Sequence, residues 1–277
     1  GEAVAQSGFR PAEAYMRPGG IPLGSAMAIS GAAASPNMGY HTSPALSFLM
    51  TLFDVRLGRW CGNPLHASAW RRGGPRFSGR YLLSELFGRT QHTSPFVYLS
   101  DGGHFENLGI YELVRRRCAC IIAIDAGEDG NSHFDDLGNA IRKCYADFGV
   151  VIDIHAEDLE NGYSAVGRVI YPFSAETGEQ PPEGCLIYIK PRLTGAEPAD
   201  LLNYKCTHSG FPHESTRDQW FDESQFESYR KLGHHIGKAV FEAALIEANQ
   251  RQELASDSGP ILPWLCEILR ERRNEAT

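Results

Sequence analysis

Apolar residues along the chain form two kinds of pattern, short unbroken runs and stripes at three- and four-residue steps. Residues 1–24, rich in Gly, Pro and Ala, predict a loop or a segment draped on a surface. Ala26-Met27-Ala28-Ile29 predicts a short buried strand, running into the small-residue stretch Ser30 to Pro36. Between Ser43 and Leu57, the residues Leu46, Leu49, Met50, Phe53 and Leu57 mark a helical face. Residues 58–80 read as irregular, Leu82 to Leu86 as a short helix and Phe96 to Leu99 as a strand. Ile110 to Arg117 follows as a helix.

Ala119 to Asp125 is an unbroken apolar run, the mark of a strand buried on both faces in a parallel sheet. Helix Phe134 to Asp147 and strand Val150 to Ile154 complete a β-α-β-α-β succession. That order predicts a three-layer α/β/α domain with right-handed crossovers. Val166 to Tyr171 and Cys185 to Lys190 predict a hairpin or an edge pair. Residues 191–221 form a long connection, and a strong helix runs from Glu223 to Gln250. Beyond it lies an amphipathic tail, its stripe including Trp264 read as packing rather than a membrane or partner contact. The expected organisation is one α/β domain over 1–250 and a helical tail over 251–277.

Composition narrows the function classes. A net charge of -8 provides no basic field for nucleic acid. The short runs Arg71-Arg72 and Arg115-Arg116-Arg117 read as solvated faces. The 7 cysteines show neither a disulfide framework nor zinc spacing, so packed free thiols in a reducing compartment are expected. Cys118 and Cys120 are expected on one strand face. No run of about 18 apolar residues exists to span a membrane. There is no signal peptide, and Gly1 rather than Met begins the chain, which reads as a piece of something longer.

Candidate chemistry centres on Asp101-Gly102-Gly103-His104-Phe105-Glu106-Asn107-Leu108-Gly109. Asp101 stands past the carboxyl end of a predicted strand, where open α/β sheets place ligand sites. Gly102 and Gly103 leave room for a substrate, and Asn107 can brace the loop. The competing reading is an Asx-turn or N-cap aspartate that only starts the next helix.

Ser100-Asp101-Gly102-Gly103, followed by Glu106-Asn107-Leu108-Gly109, resembles the Asp-Gly-Gly element of patatin-like phospholipases, in the large bacterial form. The stretch Ala28 to Pro36 and the strand ending at Asp125 resemble that family and the related cytosolic phospholipases, over roughly residues 25–155. The resemblance implies a lipid acyl hydrolase with a Ser-Asp dyad, in which Asp101 is the base. It implies a phospholipid or other fatty-acyl ester substrate, no cofactor and no metal. A setting on the cytoplasmic side, with a membrane surface reached through the longer protein, goes with it. In such a dyad the aspartate accepts the serine proton, and backbone amides stabilise the oxyanion.

The chain departs from the family in one respect: it contains no Gly-x-Ser-x-Gly elbow. The nearest string is Ala28-Ile29-Ser30-Gly31-Ala32. Ser30 is therefore expected to line the site rather than to attack, and the nucleophile is expected outside these residues. The alternative is a catalytically inactive patatin-like module that binds lipid or protein. His104 reads as a braced loop residue, His234-His235 as facing different directions on a helix, and His213 to Thr216 as a capping motif.

Overall fold

The computed structural model describes residues 20–32, 58–66, 69, 72–77, 79–87, 89, 91–159, 162–174, 178–215, 218, 220–254 and 261–276. The expected helix over 43–57 and residues 1–19 of the loop expected over 1–24 lie outside them, and Leu23 and Gly24 at the end of that loop already begin a helix. The chain is mixed α/β and divides into two compact units, Gly1–Asn107 and Leu108–Thr277. The expected span 1–250 thus crosses both units, and residues 251–277 fall within the second.

The first unit holds helix α1 (Leu23–Ser30), strand β1 (Arg59–Gly62), helix α2 (Gly79–Leu86) and strand β2 (Phe96–Leu99). Ala26 to Ile29 is helical, not the buried strand expected. Leu23, Ala26, Met27 and Ala28 are strong helix formers, Ile29 is the segment's one β-branched residue, and Pro22 is accommodated as N-cap. Leu23 and Met27, one turn apart, are 77% and 68% exposed, so the apolar run does not mark a core.

Strand β1 lies in the stretch expected to be irregular. It pairs antiparallel with β2, Trp60 opposite Tyr98 and Gly62 opposite Phe96. Trp60, Tyr81 and Phe96 form the unit's small aromatic core with Ala69, Trp60–Tyr81 centroids being 5.1 Å apart. Gly62 is required by close approach, since any Cβ there would collide with the Ala69 carbonyl. β2 therefore belongs to a two-stranded ribbon, and the expected β-α-β-α-β succession is not one sheet. Local aromatic cross-strand packing, invisible while β1 read as irregular, captures β2.

The second unit runs through α3 (Ile110–Arg115), β3 (Cys120–Ile124), α4 (Asp135–Phe148), β4 (Val151–Asp153), β5 (Ser164–Ile170), β6 (Gly184–Ile189), α5 (Ala199–Thr207), α6 (Glu223–Leu254) and α7 (Leu262–Ala276). Its sheet has the order β3-β6-β5-β4, with β3 parallel to β6 and the other two pairs antiparallel. The hairpin β5–β6 is as expected, but it occupies the centre of the sheet rather than an edge.

β6 is the strand buried on both faces. Leu186 and Tyr188 pack with Ile110, Val114, Leu137 and Ala140 of α3 and α4. Cys185, Ile187 and Ile189 pack with Leu232, Ile236 and Ala244 of α6 and with Leu265 and Ile268 of α7. Helices thus cover both faces of the sheet. β3, expected to be enclosed, is an edge strand among the described residues. Ile121 and Ala123 are 1% and 2% exposed, Ile122 and Ile124 43% and 67%. The run reads as continuous because apolar residues stand on the uncovered face too.

Cys118 and Cys120 do not share a face as expected. Cys118 packs with the α3–α4 cluster and Cys120 with the α6–α7 cluster. Arg117, at φ 55°, turns the chain before β3 begins at Cys120. The Trp264 stripe packs on the α6–α7 core as expected.

Where β3 and β6 end, Asp125 and Lys190 face each other, 2% and 5% exposed. Lys190 Nζ lies 2.9 Å from Asp125 Oδ2 and 3.4 Å from Asp129 Oδ2. The Tyr188 hydroxyl donates to Asp125 Oδ2, and the Gly127 N–H to Oδ1 at 3.0 Å. Removing one member of such a set leaves the others desolvated and unpaired. Asp125→Ala is expected to lower stability by about 3–5 kcal/mol in urea unfolding. Arg230→Ala, which removes an exposed pair with Glu227, should cost under about 1 kcal/mol. Equal losses in the two variants would show that the buried network holds nothing together.

Candidate active site

β2 delivers Leu99 to the start of the run that the sequence singled out. Asp101 follows at φ -58° and ψ 133°, and Gly102–His104 closes one turn of 3-10 helix. The Gly103 N–H donates to Asp101 Oδ1 at 3.0 Å, and the His104 N–H to the Asp101 carbonyl at 3.3 Å. The Phe105 and Glu106 N–H groups donate to the Gly102 carbonyl at 2.9 and 3.0 Å. This is the cap geometry of the competing reading, and it fixes the carboxylate in one place.

A cavity of about 520 Å³ opens beside the turn. Asp101, Ser100, His104 and Phe105 line it together with Trp60, Tyr81, Phe96 and Tyr98 from the aromatic core. The size suits a small organic ligand, and the lining is mixed, with aromatic side chains on one part and polar ones, Ser84 and Arg89 among them, on the rest. Gln91, His92 and Ser94 complete one wall. Asn63, 3% exposed, holds that wall by donating from Nδ2 to the carbonyls of His92 and Ser94, both at 2.7 Å. Its Oδ1 accepts the Leu65 N–H at 3.0 Å.

Asp101 follows a strand end and stands in a cavity wall, but the strand belongs to a two-stranded antiparallel ribbon and not to the open α/β sheet expected. Gly102 is open to solvent, and nothing lies near the position a Cβ would take. Gly103 is different, because a Cβ there would collide with the Asn107 amide oxygen. The Asn107 amide oxygen thus lies close over Gly103. Ser30 is not brought to the cavity: it ends α1, is exposed and does not line the space.

Two features escaped the sequence reading. The Ser100 hydroxyl and His104 Nδ1 lie 2.7 Å apart, a serine–histidine hydrogen bond in the same cavity wall. The serine beside the aspartate and a histidine four residues on were its only signal. Asn63 was the other, hidden because it acts on a loop 29 to 31 residues away. No group of three or more His, Cys, Asp or Glu among the described residues is placed to hold a metal ion. His235 Nε2 lies 3.2 Å from the Tyr163 hydroxyl.

The two glycines should respond differently. Gly103→Ala pushes aside only the tip of the exposed Asn107 side chain and is expected to cost about 0.5–1 kcal/mol, whereas Gly102→Ala should stay within about 0.5 kcal/mol. Thermal unfolding of both variants would measure this, and equal tolerance would show that the close approach of Asn107 constrains nothing. No family model, no curated protein and no solved structure matches the chain.

Proposed function

We propose that this chain belongs to a lipid acyl hydrolase of the patatin-like kind, with Asp101 as the catalytic base. The observation that carries the reading is a carboxylate, fixed by the Gly103 N–H, in the wall of a partly aromatic cavity at a strand end. The aromatic part of the lining would bury the apolar chain of a fatty-acyl ester, the proposed substrate class. Helices on both faces of the second unit's sheet are consistent with a three-layer α/β/α domain of that family.

In this reading a serine hydroxyl attacks the ester carbonyl while Asp101 accepts its proton, which then passes to the leaving alcohol. Water hydrolyses the resulting acyl-serine by the same base. The chain has no Gly-x-Ser-x-Gly, so the dyad serine would come from outside these residues. The cytoplasmic face of a membrane is the setting proposed for the longer protein, although no described helix is long and apolar enough to cross one. An inactive lipid- or protein-binding module is the competing outcome.

In a longer polypeptide that carries the elbow, Asp101→Asn should reduce turnover of a short-chain p-nitrophenyl ester by at least about a thousandfold. Its far-UV circular dichroism should be unchanged. Turnover at the parent rate would remove Asp101 from the chemistry.

The Ser100–His104 distance favours a second reading, with the nucleophile inside the chain. A hydroxyl hydrogen-bonded to an imidazole nitrogen at 2.7 Å has the geometry of an activated nucleophile. The bland reading of the same contact is a brace across the 3-10 turn. A fluorophosphonate probe on the 277-residue chain separates them. Labelling at Ser100, absent in Ser100→Ala and slowed in His104→Gln, would support the internal nucleophile, and an unlabelled chain would leave the contact as a brace.

A further inference from the structure

Three cysteines far apart in sequence meet on the α6–α7 side of the second unit's sheet. Cys120 opens β3, Cys185 is its neighbour on β6, and Cys266 comes from α7. The Cys266 thiol donates to Cys120 Sγ across 3.3 Å. Cys185 and Cys266 are 4% and 5% exposed, while Cys120 is half-buried. All three are free thiols.

Packing of small, soft side chains would account for the burial alone. It does not account for the way the three divide their protons. Hydrogen bonds from Cys185, then Cys266, hold the Cys120 thiol well below its usual range, and the charge of Arg270 adds to this. Cys185 is pushed up to about 11, first by its hydrogen bond to Cys120. Cys266 is pushed up by its bonds to both partners. Arg270 reaches in from α7, its Nη2 donating to the Gly184 carbonyl at 3.1 Å, and its Nε is buried with no hydrogen-bond partner. The contacts thus favour the charged form at Cys120 and the protonated form at its two partners, with the Arg270 guanidinium close by.

Cys120 is also the least buried of the three. It lies on an edge strand, on the same face as the exposed Ile122 and Ile124. We propose that Cys120, Cys185 and Cys266 form a peroxide-reactive thiol site, with Cys120 the attacking sulfur and Cys266 the resolving one.

In the first step the Cys120 sulfur, its proton released to solvent, attacks one oxygen of hydrogen peroxide, the O–O bond breaks, and the hydroxide that leaves takes a proton back from solvent to become water. Cys120 is then a sulfenic acid, oxidised by two electrons. In the second step the Cys266 sulfur attacks the Cys120 sulfur and the S–O bond breaks. The departing hydroxide takes the Cys266 proton and leaves as water. The balance is two thiols and one hydrogen peroxide giving one disulfide and two waters. The disulfide would tie α7 to β3, residues 146 apart in sequence.

The test treats the intact chain with hydrogen peroxide, blocks remaining thiols with an alkylating agent and maps the peptides by mass spectrometry. The expected result is a Cys120–Cys266 disulfide, reversed by dithiothreitol. With Cys266→Ser in place, so that no resolving sulfur competes, dimedone should label Cys120 roughly tenfold more than the exposed Cys206. In Cys266→Ser the bridge should be absent and the sulfenic acid should persist. A bridge from Cys120 to another thiol, or an intact Cys120 beside an oxidised Cys206, would overturn the proposal.

Discussion

The second unit depends on the junction of β3 and β6, where the buried Lys190 ammonium meets the Asp125 carboxylate at 2.9 Å. Two charges taken out of water are costly unless their remaining hydrogen-bonding capacity is used. Here Tyr188, Gly127 and Asp129 use it. Three of these residues sit on or just beyond the two parallel strands, so the pairing is satisfied in one register only. A slip by one residue would turn Tyr188 to the opposite face and leave Asp125 unpaired. The same register makes Cys120 the neighbour of Cys185, from which the thiol cluster follows.

How much of this was legible depended on whether the signal was local. The helices α3, α4 and α6 show their apolar spacing within one segment, and they stand close to where the pattern put them. The hairpin β5–β6 was legible for the same reason. Its central position was not, because sheet order is decided by contacts such as Ile121 beside Leu186, 65 residues away. The burial of β3 misled because a run such as Ile121-Ile122-Ala123-Ile124 has the same composition on a covered and an uncovered face. Ala26 to Ile29 misled through brevity, four residues being too few to show a period.

The candidate site divides along the same line. Asp101, Gly103 and Asn107 lie within seven residues, and their closeness could be anticipated from the spacing. The cavity could not, since its wall is assembled from Trp60, Tyr81 and the loop held by Asn63. Ser30 failed as a lining residue because its placement rested on a strand that is a helix.

The cap geometry of Asp101 does not decide between a structural and a catalytic aspartate, since both uses accept the Gly103 N–H. A base needs its carboxylate immobilised, and a cap bond does that at small cost in side-chain freedom. What separates the uses is the surroundings. A structural cap needs neither a cavity of about 520 Å³ nor a glycine whose Cβ position is taken by Asn107. Both features are present at this turn, and a solvent-facing helix start would require neither. The sequence ranked the aspartate first for its strand end and glycines. The same cavity wall holds aromatic side chains and a hydroxyl, Ser100, 2.7 Å from an imidazole nitrogen.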